Sequence, residues 1–516
     1  MNEAIAKIEA IAAKRPRKGK AVSSRLINMV ENCEPEIFLD GLGSVYVTLK
    51  IDEHHTTHPI LDKRFKHWMA QTFFKATGKA PTGGAISDAI VVLSGHAKTV
   101  YPVYTRVANF DETVYLDLCN EKRTAVMISA TGWNVVPIPK SVRFIQRKGM
   151  QELPDPTIDA GLEDMSLEDC LYEVINAPRG GDEILLISAW LVAALRGTKP
   201  YPMLLIGGEH GGAKSLASRL IRRCIDPSVA DLSLGPKEPR DLMIAATNSH
   251  VLCFDNISWI EDWFSDVLCC LSTGAGFRTR ALFENADEAI FEAARPIVMN
   301  SIVDVIRRPD LLDRSIVVEL PAIPEDTRRT EKDVFRSFAL WHPAILARLA
   351  DAVSQALRAP VQLKLLPRMA DFATLVESAA PALGWEPLRF LSLYNGARQA
   401  AQEILAEGDP VYEGLLSWCN ASGDKWKNGS WEGSNEQLRM QVMGGWAEKP
   451  ISLKKFVSVL RRLIPTLRLK GIDVDLPKKK EIQWIGAQRG KQRLTRVTLN
   501  AVVEKGVQGV LPVEPF

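Results

Sequence analysis

The stretch Tyr201–Ser215, YPMLLIGGEHGGAKS, limits the possible folds more than any other. Met203 to Ile206 reads as a buried apolar strand, and Gly207 to Ser215 as a glycine-rich turn closed by Lys-Ser and continued by a helix from Leu216 to Cys224. A strand that hands such a loop to a helix aims several backbone N–H groups and the helix N-terminus at one point, which suits a phosphate. Gly208, Glu209, Gly211, Gly212 and Ala213 make the loop, Lys214 supplies the counter-charge and Ser215 a hydroxyl for magnesium. The pattern GxxxxGK[ST] asks for glycine where this chain has Ala213; one methyl is compatible with the turn if φ there is negative. The plain alternative is a glycine-rich β-turn, against which stand the strand before, the helix after and the spacing of Lys-Ser.

Two further apolar runs end in polar residues at matching places. His250 to Ile257, HVLCFDNI, reads as a strand that delivers Asp255. Beyond a phosphate loop this is the pattern of a metal-coordinating acid on a neighbouring parallel strand, at the carboxyl edge where ligands bind in open α/β sheets. The next residue is Asn256, and an amide takes no proton from water, so Glu209 and Glu261 are the stand-in candidates for a general base. Arg295 to Ser301, RPIVMNS, delivers Asn300, either a residue that holds the attacking water or a helix-cap or turn residue. Between them, TGAGFRTRALFENADEAIF suggests a hairpin bearing Arg278 and Arg280. Asp310 to Leu320 reads as a short helix and a strand with Arg314 at the junction, placed either to reach a neighbour's γ-phosphate or to pair with Asp313 or Glu319.

At 516 residues the chain is too long for one core. Its composition is that of a soluble globular protein, and a formal net charge of +2 gives no whole-molecule field, so any basic surface is local. The eight cysteines form no CxxC pair and several lie in apolar runs, which predicts buried thiols, no disulfide and no zinc. No apolar run reaches membrane-spanning length and no h-region follows the basic residues Lys14 to Lys20, so a cytoplasmic protein without membrane contact is expected.

Upstream of the loop, the reading is a helix over Ala4 to Lys14, a second helix, strands at Ser44 to Asp52, Ala89 to Leu93, Val114 to Leu118 and Ala125 to Ser129, and a helix from Asp62 to Thr77. His54, His55 and His58 are placed in a turn and taken as surface residues. Downstream, amphipathic helices are expected at Glu331 to Phe338, Ala344 to Leu357 and Met369 to Glu377. Near the end, helices over Asn435 to Gln441 and Leu453 to Leu463 precede a hairpin of Glu481 to Ile485 with Arg493 to Leu499, its tip holding Arg489 and Lys491. With Lys454, Lys455, Arg461 and Arg462 on the second helix, this reads as a winged-helix-like DNA-binding domain.

Taken together, GEHGGAKS, FDN, TGAGFRTR, Asn300 and LLDRS resemble, in order and spacing, the AAA+ ATPase core of replicative helicases of phages and mobile elements. Superfamily 3 helicases share the arginine-bearing hairpin segment, and the minichromosome maintenance helicases share the Ala-Lys-Ser ending. The resemblance implies an α/β P-loop NTPase core over residues 181–330, between an N-terminal α+β domain (1–152) with its linker (153–180) and a helical subdomain (331–425) with the winged-helix-like region (426–516). It implies ATP and Mg2+ as cofactors, held by Lys214, Ser215 and Asp255. Asn300 would be a sensor, Arg314 a finger acting on the neighbouring subunit of a homohexamer, and Arg278 and Arg280 a grip on single-stranded DNA. The expected function is an ATP-dependent DNA helicase or replication initiator motor; the alternative is a nucleotide-gated DNA-binding scaffold that hydrolyses poorly, with Asn256 in its favour.

Overall fold

The structure is a computed structural model that describes residues 21–51, 54–209, 211–280, 288–291, 293–301, 308–422, 426, 429–444, 451–476, 481–485, 488–492 and 494–499. The helix expected over Ala4 to Lys14 lies outside these residues.

Helix Val22–Glu31, strands β1 (Glu36–Leu39), β2 (Val45–Ile51) and β3 (His54–Pro59), and helices Lys63–Thr77 and Gly83–Ser94 form the first unit. The three strands are antiparallel in the order β1-β2-β3. Leu26, Val47, Phe65, Met69 and Leu93 meet in its separate core. Two expectations are corrected here. Ala89 to Leu93 is helical: Ala89, Ile90 and Leu93 are buried while Val91 and Val92 face outward, a helical period rather than strand alternation. The HHTTH run is strand β3, not a turn; its buried Thr56 and Thr57 lie against β2, and the Thr57 and Thr48 hydroxyls bond at 2.9 Å.

Strands β4 (Val107–Phe110), β5 (Thr113–Asp117), β6 (Thr124–Ser129) and β7 (Gly132–Pro137) make an antiparallel meander. Its inner residues Val114, Leu116, Val126 and Ile128 join the largest core together with the almost wholly buried helix Asp182–Arg196. Arg106, fully buried, fastens the meander to the centre: Nε pairs with Asp226 Oδ1 at 3.0 Å, and its Nη groups donate to the carbonyls of Asp117 and Gln151. The supposed linker is packed as well. Leu153 is buried, and Leu167–Tyr172 is a helix whose Ser166 and Asp169 form a reciprocal cap.

Strands β8 (Met203–Gly208) and β9 (Leu252–Ile257), the hairpin β10 (Phe277–Arg280) with β11 (Glu288–Phe291), and strands β12 (Ile297–Ser301) and β13 (Ser315–Leu320) complete the central part. The parallel sheet has the order β13-β8-β12-β9, so β8 is internal and its run Met203–Ile206 is buried on both faces. Helices Lys214–Arg223 and Pro239–Asn248 connect β8 to β9, Asp262–Thr273 leads from β9 to the hairpin, and Pro309–Leu312 precedes β13.

The two amphipathic stretches expected between residues 331 and 357 are one helix, Glu331–Arg358, which runs through Pro343. The N–H that proline lacks is a local loss, and burial of thirteen residues along this helix outweighs it. Helices Ala370–Leu383, Arg389–Ala406 and Pro410–Ser422 come next. The last unit comprises β14 (Ser430–Ser434), helices Asn435–Met443 and Leu453–Leu469, β15 (Ile472–Asp475), β16 (Glu481–Ile485), β17 (Gln488–Gln492) and β18 (Leu494–Leu499). The expected hairpin partner is corrected: β16 pairs with β17, and β18 is the middle strand of an antiparallel sheet β14-β18-β15. A strand bonded on both edges has no edge left for β16, so Arg489 and Lys491 lie within β17 rather than at a tip.

Candidate functional site

Strand β8 ends at the phosphate-type loop, and the geometry there is dictated by the end of its neighbour β13. Gly208 has φ +119°, and a Cβ on it would stand 2.1 Å from the carbonyl oxygen of Leu320. Only glycine fits a backbone held so close in that conformation. Gly212 faces the same wall, its Cβ position lying 3.0 Å from Leu320 O and 3.1 Å from Pro321 O. Ala213 then starts the helix Lys214–Arg223 with φ +56° and ψ 32°. The expected negative φ is thus corrected: the alanine occupies the left-handed region where the loop turns into the helix, a conformation in which its Cβ crowds the following carbonyl. Lys214 Nζ donates to the carbonyls of Gly208 and Glu209, both at 2.8 Å, which folds the ammonium across the loop. Glu209 and Lys214 are among the exposed or half-exposed residues of the loop.

Three side chains from three segments meet beside it. Ser215 Oγ donates to Asp255 Oδ1 at 2.7 Å. Asn300, only 4% exposed, directs Nδ2 to the same Asp255 oxygen and lies 3.4 Å from Ser215 Oγ. Its Oδ1 accepts the backbone N–H of Asn256 at 2.6 Å. Neither a helix cap nor a turn residue, Asn300 sits near the end of β12, which pairs with β8 on one side and β9 on the other. Asn256 is at φ +54°, a conformation that asparagine tolerates better than glutamate does. Glu261, the other candidate base, precedes helix Asp262–Thr273 and accepts from Trp263 Nε1 at 2.5 Å.

A hydroxyl and a carboxylate 2.7 Å apart are hard oxygen donors of the type that holds Mg2+ alongside water and phosphate oxygens. Gly208 and Gly212 let the loop backbone pack directly against the backbone of Leu320 and Pro321. The residues present therefore fit a magnesium–nucleotide ligand.

Arg314 is elsewhere. Its carbonyl accepts from Met203 N at 2.9 Å, at the start of β8, whereas the loop follows the end of that strand, roughly 16 Å away at 3.3 Å per residue. Its Nη1 bonds Asp310 Oδ1 at 2.6 Å, and Arg368 Nη2 reaches the same oxygen at 2.6 Å. The expected partners are corrected: Asp313 is taken by Arg368, Arg398 and Gln402. Burial alone would raise the Asp310 carboxyl, but bonds from Arg314 and Arg368 hold it below the usual carboxylate range.

Arg278 falls on β10, opposite Ile290 of β11, and Arg280 opposite Glu288. Lys454, Lys455, Arg461 and Arg462 are exposed on helix Leu453–Leu469, whose other side buries Phe456, Leu460, Leu463 and Leu467. Arg462 pairs with Asp409 at 2.6 Å.

One part of the site escaped the sequence reading. A cleft of about 390 Å³ adjoins the loop, lined by Gly211, Ala213, Leu216 and Leu220 on one side and by Tyr172 to Ala177, Arg328 and Val334 on the other. Residues 172–177 belong to the stretch expected to be a linker; the Ser166-x-x-Asp169 capping signal ahead of Leu167 to Tyr172 was the clue to order there.

Residues 168–397 match the family described as the actinomycete integrative conjugative element replication protein, so this part of the chain is similar to a replication protein of mobile elements. No curated protein matches the chain. Two solved structures of the NrS-1 C terminal region are similar at low identity. The apo structure has a TM-score of 0.40 and 12% identity, covering 93% of this chain and 100% of that one. The A form apo structure has a TM-score of 0.38 and 13% identity, covering 92% and 98%. Among the described residues no helix is long and apolar enough to cross a membrane.

Proposed function

We propose that this chain is an ATP-driven replication motor acting on DNA, an AAA+ helicase or initiator that works as a ring. The observation that carries the reading is the convergence of Ser215, Asp255 and Asn300 beside a glycine-rich loop. The strand order β13-β8-β12-β9, with the loop on an internal strand and the polar residues on the two strands beyond it, supports a P-loop core of that class. Bound ATP would supply the phosphoryl group for transfer to water, and magnesium would neutralise the charge on its phosphates. The chain's part is to bind and orient: the loop amides and Lys214 take the phosphates, Ser215 and Asp255 the metal, and Asn300 orients that pair, its Nδ2 directed at both side chains while its Oδ1 accepts the Asn256 N–H. The cleft between Tyr172 to Ala177 and Leu216 is the space for the base, and the match to a mobile-element replication protein supports a role at DNA.

Arg314 stands at the start of β8, the end opposite its own loop, so a role at a γ-phosphate would fall on a neighbouring subunit and would need its bond to Asp310 to open. In the last unit, the succession helix, β14, two helices, β15, hairpin, β18 and the order β14-β18-β15 support a winged-helix-like domain, with helix Leu453–Leu469 presenting Lys454, Lys455 and Arg461 to DNA.

The second reading, a nucleotide-gated scaffold, is favoured by Asn256 alone: no carboxylate follows Asp255. ATP hydrolysis and separation of a forked DNA by the wild type and Lys214→Ala decide between them. The motor reading expects DNA-stimulated hydrolysis and strand separation, both lost in the variant. ATP and DNA binding with neither activity in the wild type leaves only the scaffold.

A further inference from the structure

The first unit has no part in the proposed site, yet one of its surfaces is chemically specific. From Lys63 to Lys79 the chain carries Lys63, Arg64, Lys66, Lys75 and Lys79 and no acid. Within helix Lys63–Thr77, Phe65, Met69 and Phe73 are buried against the core. At 3.6 residues per turn these three lie on one side, so Lys63, His67 and Phe74 form a stripe on the opposite side, flanked by Lys66 and Lys75. Burial follows that geometry: Lys63, His67, Phe74 and Lys75 are exposed and Lys66 is half-buried.

Phe74 exposes 54% of its surface although Phe73 beside it does the packing. Arg64 is engaged by Asp62, the residue that caps the helix, at 3.0 Å. Among the described residues, Lys63, Lys66, Lys75 and Lys79 make no ion pair. Solvated helix faces ordinarily intersperse both signs of charge; this one does not. Ammonium groups spread along a helix face that ends in an exposed phenyl ring are what a single strand needs: successive phosphates meet the lysines and an unstacked base meets the ring. A duplex would meet the lysines but offers the ring nothing.

We propose that this helix face is a second DNA contact, one that holds single-stranded DNA and is separate from the basic helix of the last unit. The choice of DNA as the polyanion rests on the proposed function. Binding of the full chain to a labelled oligothymidine and to a labelled duplex is measured over a range of salt. Lys63→Ala/Lys66→Ala/Lys75→Ala is expected to weaken single-strand binding about tenfold or more and to flatten the slope of log K against log salt by about 2, at roughly 0.7 per lost phosphate contact. Lysine-to-arginine changes at the same three positions are expected to keep the slope. Phe74→Ala is expected to weaken single-strand binding roughly fivefold to tenfold and leave duplex binding unchanged.

The variant Lys454→Ala/Lys455→Ala/Arg461→Ala separates the two readings. A wild type that binds no DNA overturns both. A wild type whose binding is weakened by the C-terminal variant, but not in affinity or slope by the N-terminal substitutions, overturns this inference alone. Equal losses on single strand and duplex with Phe74→Ala overturn the single-strand assignment.

Discussion

Ala213 carries the conformational cost of the loop. A non-glycine residue in the left-handed region is disfavoured by about 1–2 kcal/mol, and part of that returns as lost backbone freedom when glycine replaces it. Ala213→Gly is therefore expected to raise stability by about 0.5–1 kcal/mol in denaturant unfolding, with an unchanged m-value. The same reasoning applies to Asn256, whose φ of +54° selects a residue at home in that conformation. If backbone geometry rather than chemistry explains this asparagine, Asn256→Gly should keep hydrolysis within about threefold of wild type. Asn300→Ala, by contrast, removes the amide that touches Ser215 and Asp255, and is expected to lower the hydrolysis rate by roughly 10²-fold while nucleotide affinity changes much less. Steady-state rates and nucleotide titrations check both variants.

At the scale of elements, the join between the meander and the central part combines a shared apolar core with one buried ion pair, Arg106 with Asp226. Asp226 also accepts the backbone N–H groups of His250 and Val251, so removing Arg106 leaves a carboxylate buried without its counter-charge. Arg106→Ala is expected to cost roughly 3–5 kcal/mol in denaturant unfolding. Much of this region was legible in the sequence: β8, β9, β12 and β13, the hairpin β10/β11, and the helix capped by Asp62 all follow from local pattern and turn chemistry. What local pattern hides is the choice of partners. AIVVL reads equally well as a strand until the burial of Ala89, Ile90 and Leu93 against a helix and sheet decides otherwise. The partner of β18 is likewise a long-range fact, since β14 lies more than fifty residues earlier. For the site, spacing placed Asp255 and Asn300 near strand ends and Ser215 where the glycine-rich loop enters its helix, but no spacing rule gave the sign of φ at Ala213, the Asp310 tether of Arg314, or the wall built by residues 172–177.

Over the whole molecule, pH acts through buried histidines. His250 and His342 are enclosed, burial pushes both down to about 4, and each bonds a backbone carbonyl through Nε2. Unfolded, they titrate near 6.5, so between about pH 6.5 and 4 the unfolded chain binds more protons and stability falls as pH falls. The full loss is roughly 3 kcal/mol per histidine. Burial raises Glu168 and Glu377, a contribution of the opposite sign. Unfolding midpoints in urea between pH 7.5 and 4.5 should decline, and His342→Gln should flatten the decline.

Assembly is the remaining property at this scale, because Arg314 and the phosphate loop of one chain are at opposite ends of β8. Two inactive variants, Lys214→Ala and Arg314→Ala, mixed in equal amounts and allowed to exchange subunits, test the shared site directly. A site between the loop of an Arg314→Ala chain and the arginine of a Lys214→Ala chain is intact, so DNA-stimulated ATP hydrolysis is expected to return to roughly a quarter of the wild-type rate on random assembly. A mixture as silent as its two components, under conditions where wild-type subunits assemble and exchange, would contradict it.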